Sequence, residues 1–557
     1  MSEPPIHGAR RPAPRSTSAE QSAATGQSTV TSQSAAATLQ QRVMIYLALN
    51  GAFLLTAVVA SMSRGGSTGT LIYLIALFAL CTSPVVMLDR LNGRFALLGI
   101  FTAMYFVFFG ALDATALVLG GPAAAGHGDS FLSEAEFGIL CGAAAALLGY
   151  RIGLALIRPV SPARIVHDWR PATVFTVGML VWLTGLAAIA YFQVFVVPEK
   201  TNIATARGLA ALGPALTFVV MLGQMIEPMG LVILAYGYAR YRSMPWLVLI
   251  LIVVVAQIAV GFVSDIKAVA MLAGILVILA RLLVDNRLPK GWMLGGALML
   301  LFSFPLFQAY RADVSGARGL NHIQALMSLD KVLEVVLANR EKVTERPGDE
   351  RSQTFFERAS LKGNVELAFE HTGIDTPFRE GDTLVGLLVA FIPRLIWPDK
   401  PDVAVGQLFN KEFFRAGDPD TYISPSHLGE LYWNFGWPGI LLGMTFIGTL
   451  LGCIAAKCNM AEAQSVTRLM VLLATVKYVC LGFEGSIAIA YIVWLRSLGA
   501  IALLHVVFAR PRPAMDGGPS REPSREPSKP SRHPSEPAFG RRTANADSPP
   551  RFPNLMR

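Results

Sequence analysis

MPWLVLILIVVVAQIAVGFVS, residues 244–264, contains no charged residue. As a helix it is about 30 Å long at 1.5 Å per residue, which matches the hydrocarbon core of a bilayer. The apolar positions run continuously instead of alternating, so the stretch does not suit a strand of a membrane barrel. Arg240 and Arg242 precede it, and Asp265 and Lys267 follow it. It reads as a transmembrane helix whose first end is cationic.

The rest of the chain repeats this pattern. It has 557 residues, 53% hydrophobic and 15% charged, with a mean hydropathy of +0.49. A soluble protein of this length would be roughly a quarter charged. The class that follows is an all-α polytopic integral membrane protein with about 12 transmembrane helices. The spans fall at 43–61, 69–88, 95–117, 135–157, 172–197, 213–239, 244–264, 267–284, 291–309, 436–456, 466–483 and 487–508. Together they define a transmembrane bundle over 43–309 and a second group of spans over 436–508.

Loop charge orients the chain, because Lys and Arg accumulate on the cytoplasmic side. Arg42, Arg90 and Arg94, Arg151 to Arg170, Arg240 and Arg242, Arg281 to Lys290, Lys457 and Arg510 fall on one side, and loops such as 118–134 on the other are short or acidic. Both termini are therefore expected in the cytoplasm. Residues 1–42 carry four arginines against two glutamates, and 510–557 carry ten Lys/Arg against five Asp/Glu, so most of the formal +9 lies in the tails. Basic tails beside membrane spans need no nucleic acid to explain them. The Ser-, Ala-, Gln- and Pro-rich segment 1–42 and the SREPSREPSKPSRHPSEP region within 509–557 are too polar to bury a core and are expected to be disordered. Cys81, Cys141, Cys453, Cys458 and Cys480 lie in or at the ends of apolar runs at no zinc spacing, which predicts neither a disulfide nor a metal site.

One long polar insertion, 310–435, separates the ninth and tenth spans, and parity puts it outside as a long helical periplasmic loop. Loops of this size are usually functional. Residues 321–342 carry apolar residues on one helical face, 352–371 also read as helix, and 383–397 (TLVGLLVAFIPRLIW) is apolar but too short to span, as an interfacial helix would be. It runs into FIPRLIWPDKP, 391–401. Trp397 suits the headgroup level, Pro393, Pro398 and Pro401 stiffen and end the helix, and Arg394 and Lys400 stand as cations near the lipid phosphates. Such cations suit a lipid-linked phosphate or pyrophosphate, which Arg binds in a bidentate fork. They equally suit simple snorkelling to headgroups or pairing with Asp399 and Asp402.

SHLGELYWNFGWPGILLGM, 426–444, leads into the tenth span and sets Glu430 among Tyr432, Trp433, Phe435 and Trp437. Aromatic rings make sugar platforms, and a nearby carboxylate can act as a general base; an aromatic belt at the membrane boundary gives the same pattern. His427 and His322 read as surface histidines on the outer side. Glu227 before Pro228, Asp265, Lys267, Lys477, Glu484 and Arg496 lie in or at the ends of spans. Ionisable groups there are costly and are either functional or halves of structural pairs.

FIPRLIWPDKP followed by GELYWNFGWPGILLGM resembles the O-antigen polymerase family, the Wzy-like oligosaccharide repeat unit polymerases. The likeness rests on Pro393-Arg394, Trp397-Pro398, Lys400-Pro401, Gly429-Glu430-Leu431-Tyr432 and Asn434-Phe435-Gly436, with Arg358 and Gly381 upstream, and its strong part covers 350–450. SDIKAVAMLAGILVI, 264–278, is similar to a further family element, with Lys267 where an Arg is more usual. The resemblance implies a glycosyltransferase of the bacterial inner membrane that joins undecaprenyl-pyrophosphate-linked oligosaccharides on the periplasmic face without cofactor or metal. It implies membrane lipid and a chain-length regulator as partners. Arg394, Arg358 and Lys400 would stabilise the pyrophosphate leaving group, helped by Arg311, and Glu430 would serve as base or acceptor-orienting group with His427 second. Trp397, Tyr432 and Trp433 would line the sugar groove, and Lys267 would contact substrate. An O-antigen ligase-like transferase, a glycan or lipid-linked glycan transporter, and a non-catalytic assembly partner remain open alternatives. The transporter reading is weakened because the longest loop follows the ninth span and no half-to-half repeat is visible.

Overall fold

A computed structural model describes residues 17–64, 67–87, 97–119, 132–157, 165–191, 213–263, 267–285, 289–296, 360–389, 404–414, 422–460 and 464–513, together with 298, 392, 396 and 397. The principal elements, in chain order, are α1 (Thr17–Arg64), α2 (Thr68–Thr82), α3 (Leu97–Phe109), α4 (Ala111–Leu119), α5 (Glu134–Leu156), β1 (Ile165–Asp168), α6 (Pro171–Tyr191), α7 (Gly213–Tyr241), α8 (Met244–Val263), α9 (Lys267–Asp285), α10 (Lys362–His371), α11 (Ser426–Lys457), α12 (Val466–Thr475), α13 (Ile487–Phe508) and β2 (Arg510–Pro513). Among the described residues eight helices are long and apolar enough to cross a membrane, or nine if α3 and α4, bent by 56° at Gly110, form one span. The protein is an all-α membrane protein. Helices α7 and α9 also occupy positions where the sequence predicts spans.

The helices meet where small residues let backbones approach. In α5 and α11 the contact is reciprocal: a Cβ on Gly149 would sit 2.0 Å from the Thr445 carbonyl oxygen, and one on Gly448 would sit 2.0 Å from that of Ala146. Gly153 and Gly452 repeat the pattern a turn later, at 2.2 Å from Thr449 O and 2.3 Å from Tyr150 O. In lipid, where burial of apolar area gives little drive, such close backbone packing is what holds helices together. Helices α6 and α7 pack likewise through Gly185 and Gly230.

Contacts between loops sort the bundle into two ends. At one end β1 pairs antiparallel with β2, Ile165 opposite Pro513 and Asp168 opposite Arg510. There Asp168 accepts hydrogen bonds from the Tyr236 hydroxyl (2.8 Å) and the Val466 N–H (3.1 Å). Gln464 donates to the Val284 carbonyl at 2.7 Å, and Asp285 pairs with Arg242 and Arg281. At the other end lie Leu361, which donates to the Phe108 carbonyl at 2.9 Å, and Lys362, Glu134, Trp437 and Ile487.

Two expectations need correction. Helix α1 reaches back to Thr17, so disorder does not extend through residue 42. Ala and Gln are good helix formers, and a span that is already helical propagates into them cheaply. Among the described residues, the interfacial helix expected over 383–397 is a 3₁₀ turn, Asp382–Leu384, running into Val385–Val389, and residues 392, 396 and 397 are not helical. Helix 352–371 begins, among described residues, at Lys362. The amphipathic segment 321–342 lies outside the described residues.

Candidate functional site

Helix α11 is two limbs joined at Gly436, where φ is 62° and ψ is −144°. That conformation is essentially reserved for glycine. The N-terminal limb, from Ser426 to the break, would leave its last carbonyls unsatisfied. The segment 379–384 supplies the missing donors. Arg379 N–H donates to the Trp433 carbonyl at 3.0 Å and Glu380 N–H to that of Asn434 at 3.1 Å. Gly381, with φ 97°, turns the chain back so that its N–H reaches Asn434 Oδ1 at 3.0 Å.

Glu430 stands at the centre of this clamp with no exposed surface. Its Oε1 accepts from the Thr383 hydroxyl at 2.7 Å, and its Oε2 accepts from the N–H of Ile487, the first residue of α13, at 2.8 Å. Asn434, one turn on, donates to Thr383 Oγ1 and to the Glu430 carbonyl, both at 2.7 Å. One carboxylate thus joins the limb, the 379–384 turn and the start of the last helix. A helix N-terminus favours an anion, and two charge-assisted bonds are what make a buried carboxylate tolerable. Tyr422, at the approach to α11, has its hydroxyl raised above the ordinary range by burial, with the Glu430 charge adding to the effect.

The neighbouring aromatics are packed into the protein. The fully buried Trp433 lies against Phe409 and Phe413, with ring centroids 5.6 and 5.3 Å away. The Arg379 guanidinium sits 5.3 Å over its ring and pairs with Glu412. Tyr432 stacks on Phe369 at 3.7 Å and is nearly buried. Neither ring offers an open face to a sugar in this arrangement, because α10 and the 405–414 segment cover them. His427 is likewise no surface residue. It is fully buried against Phe483 and Tyr491, and among the described residues neither ring nitrogen has a hydrogen-bond partner. It sits at the start of the limb, where α13 and the 482–484 turn close over it; sequence alone does not bring those elements near.

A second junction fixes α10 to the bundle. Lys362 Nζ lies 2.7 Å from both Asp113 Oδ2 and Glu136 Oε1, and 3.8 Å from Glu366. Its ammonium also sits 4.7 Å from the centre of the Tyr73 ring. Burial works to lower the Lys362 pKa, but Asp113 and Glu136 outweigh it and hold the group above its ordinary value. Glu136 serves twice, because its Oε2 accepts from the Ser133 N–H in a capping box that starts α5.

Of the residues singled out from sequence, Glu430, His427, Tyr432 and Trp433 come together on one limb. Trp397 is exposed. Arg394, Lys400, Arg358 and Arg311 lie outside the described residues, as does the side chain of Lys267, whose backbone begins α9. The sequence reading missed Lys362, Arg379 and Thr383. Asp113, an acid inside an apolar run, was the available signal for Lys362. Among the described residues no group of three or more His, Cys, Asp or Glu is arranged to hold a metal ion, and the five cysteines are free. The chain matches no protein-family model, no curated protein and no solved structure.

Proposed function

We propose that this chain is a glycosyltransferase that polymerises undecaprenyl-pyrophosphate-linked oligosaccharide repeat units on the periplasmic face of the bacterial inner membrane, as its resemblance to the O-antigen polymerases implies. The observation that carries the reading is the hydrogen bonding between the turn at Gly381, upstream of the first stretch behind that resemblance, and the second stretch. Gly381 meets Asn434 and Thr383 meets Glu430, so the segment leading to Arg394 starts from a fixed platform on the limb that holds Gly429 to Gly436.

In this reading about twelve spans cross the membrane, and the β1–β2 end faces the cytoplasm with both termini. The charge distribution supports that orientation: Arg240, Arg242, Arg281, Arg468, Arg510 and Arg512 belong to the β1–β2 end beside Asp168 and Asp285, and Asp113, Glu134, Glu136, Glu366 and Glu484 to the other beside Lys362 and Arg379, so the cations gather at the β1–β2 end. Arg394, Lys400, Arg358 and Arg311 stabilise the charge that develops on the departing pyrophosphate. Glu430 takes a different part from the base first assigned to it. With both oxygens engaged away from solvent, it positions the 379–384 turn and the limb, and reaches no substrate hydroxyl unless both bonds open. Of the three aromatics assigned to the sugar groove, Trp397 is the exposed one and is the one placed to meet a sugar.

The test is mass spectrometry of lipid-linked oligosaccharides from a deletion strain complemented with wild type or with Arg394→Ala. Accumulation of single repeat units that wild type clears and the variant does not is the expected outcome. Long glycan retained on the lipid would point instead to a ligase-like transferase. An unchanged lipid-linked pool would sink the enzyme reading and favour transport.

A further inference from the structure

Far from the Glu430 clamp, a second polar cluster lies inside the bundle. Counted from the β1–β2 end of their helices, Trp182, Glu227, Gln257, Lys477 and Ser497 all sit about 16–21 Å in, close to the middle of a bilayer core about 30 Å thick. Glu227 is 4% exposed, and among the described residues its Oε1 has no hydrogen-bond partner. Gln257, 2% exposed, is its hydrogen-bonding neighbour and in turn accepts from the Trp182 indole N–H at 3.3 Å. Helix α6 leaves room for Glu227 only because Gly185 lacks a Cβ, which would stand 2.5 Å from that of Glu227.

Next to Glu227 in the chain, Pro228 lines a small cavity large enough to admit water. Met225, Pro228 and Met229 from the same turn of α7 line it, and Lys477, Tyr478 and Ser497 face them. Lys477 acts on Glu227 as an opposing charge. From the other neighbouring elements, α6 brings Trp182, α8 brings Gln257, α9 brings the apolar Leu276, and α13 brings Ser497. Arg496, next to Ser497, is exposed and engaged with another group. Both chain segments that carry the charges are locally irregular. Pro228 follows Glu227, and Lys477 lies in a π-helical turn, Val476–Leu481. Such turns are enriched at functional sites and permit a shift of register.

We propose that Glu227 is an intramembrane proton-binding site, taking up and releasing one proton in the cluster that holds Gln257 and Lys477. Ionised, the carboxylate is favoured by the opposing charge of the Lys477 ammonium; protonated, it leaves Lys477 as the charge of the cluster. An ionisable group kept at this depth, with one oxygen that no described residue engages, has the chemistry of a proton site. The inference stands independently of glycan transfer.

Dicyclohexylcarbodiimide tests it on the full-length protein in membranes. A protonated carboxyl adds across the carbodiimide and rearranges to a stable acylurea, with no leaving group, and the adduct is located by peptide mass spectrometry. The expected result is an adduct at Glu227 at acid pH that is lost at alkaline pH and absent in Glu227→Gln. In Lys477→Gln the midpoint moves to higher pH by about one unit, because the opposing charge no longer favours the ionised form. No adduct at any pH overturns the proposal, as does a midpoint that Lys477→Gln leaves in place.

Discussion

Replacing Lys362 with methionine tests how the short helix α10 is fastened to the bundle. The substitution keeps most of the side-chain length and removes the ammonium. It leaves Asp113 and Glu136, each with about a tenth of its side chain exposed, as two carboxylates without their shared cation. Breaking a buried ion pair from one side costs about 3–5 kcal/mol. The Lys362 side chain keeps 14% exposure, so the lower end, about 3 kcal/mol, is the working figure. Loss of the contact with the Tyr73 ring adds about 0.5–1 kcal/mol. The triple variant Lys362→Met, Asp113→Asn, Glu136→Gln removes all three charges, and the amide it places at position 136 still offers an oxygen to cap α5. It is expected to recover most of the loss, because a neutral substitute for a buried ionic group is often close to neutral in stability. Reversible unfolding in mixed micelles, or steric trapping in bicelles, gives the free energies. The reasoning is refuted if the single variant lies within about 0.5 kcal/mol of wild type, a surface-pair value, or if the triple variant is no more stable than the single one.

Alkaline pH makes the same point without mutation. The folded pKa of Lys362 is raised above its ordinary 10.5, so its contribution is full below that unfolded value and is lost as pH rises through the folded one; unfolding at rising pH should show an alkaline loss that Lys362→Met lacks. Gly149→Val should separate α5 from α11 and cost several kcal/mol or abolish folding, since its Cβ would meet the Thr445 carbonyl; Gly51→Val, with nothing within 4 Å of its Cβ, is the control, and equal effects in a thermal-stability assay would contradict the packing. Gly436→Ala should destabilise by about 1–3 kcal/mol through backbone strain alone, read as a lowered midpoint in the same unfolding assay. Glu430→Gln keeps an acceptor for Thr383 but presents an amide to the Ile487 N–H, so hydrogen exchange at Ile487 should speed up by about tenfold or more; unchanged exchange there would show that the carboxylate does not hold the start of α13.

The helices were legible because their apolar runs are long and uninterrupted. The run at 244–264 appears as α8 over Met244–Val263, since in lipid a backbone has few other ways to satisfy itself. What failed was everything decided by distant chain meeting distant chain. His427 has the composition of a surface histidine in a polar, aromatic stretch, and only α13 and the 482–484 turn make it core. Glu430 stood out in the sequence, but Thr383 and Ile487, its partners, lie 47 and 57 residues away. Strand β2 reads RPRP, a sequence whose prolines argue against a strand; it pairs because β1 offers an edge beside it. The polar segment 17–42 has the composition of disorder, and it continues the helix of the span that follows.

The β1–β2 pairing also bears on how the chain is made. Strand β1 and Asp168 leave the ribosome long before Val466 and Arg510, the residues they join. During that interval the loop between α5 and α6 carries an unpaired strand edge and a carboxylate missing a donor, held first by Tyr236 alone. Insertion of the last two helices therefore completes work begun a third of the way along the chain. A protein truncated just before Arg510 would reach the membrane with its helices in place and its middle loop still open to other strands, to proteases and to quality control.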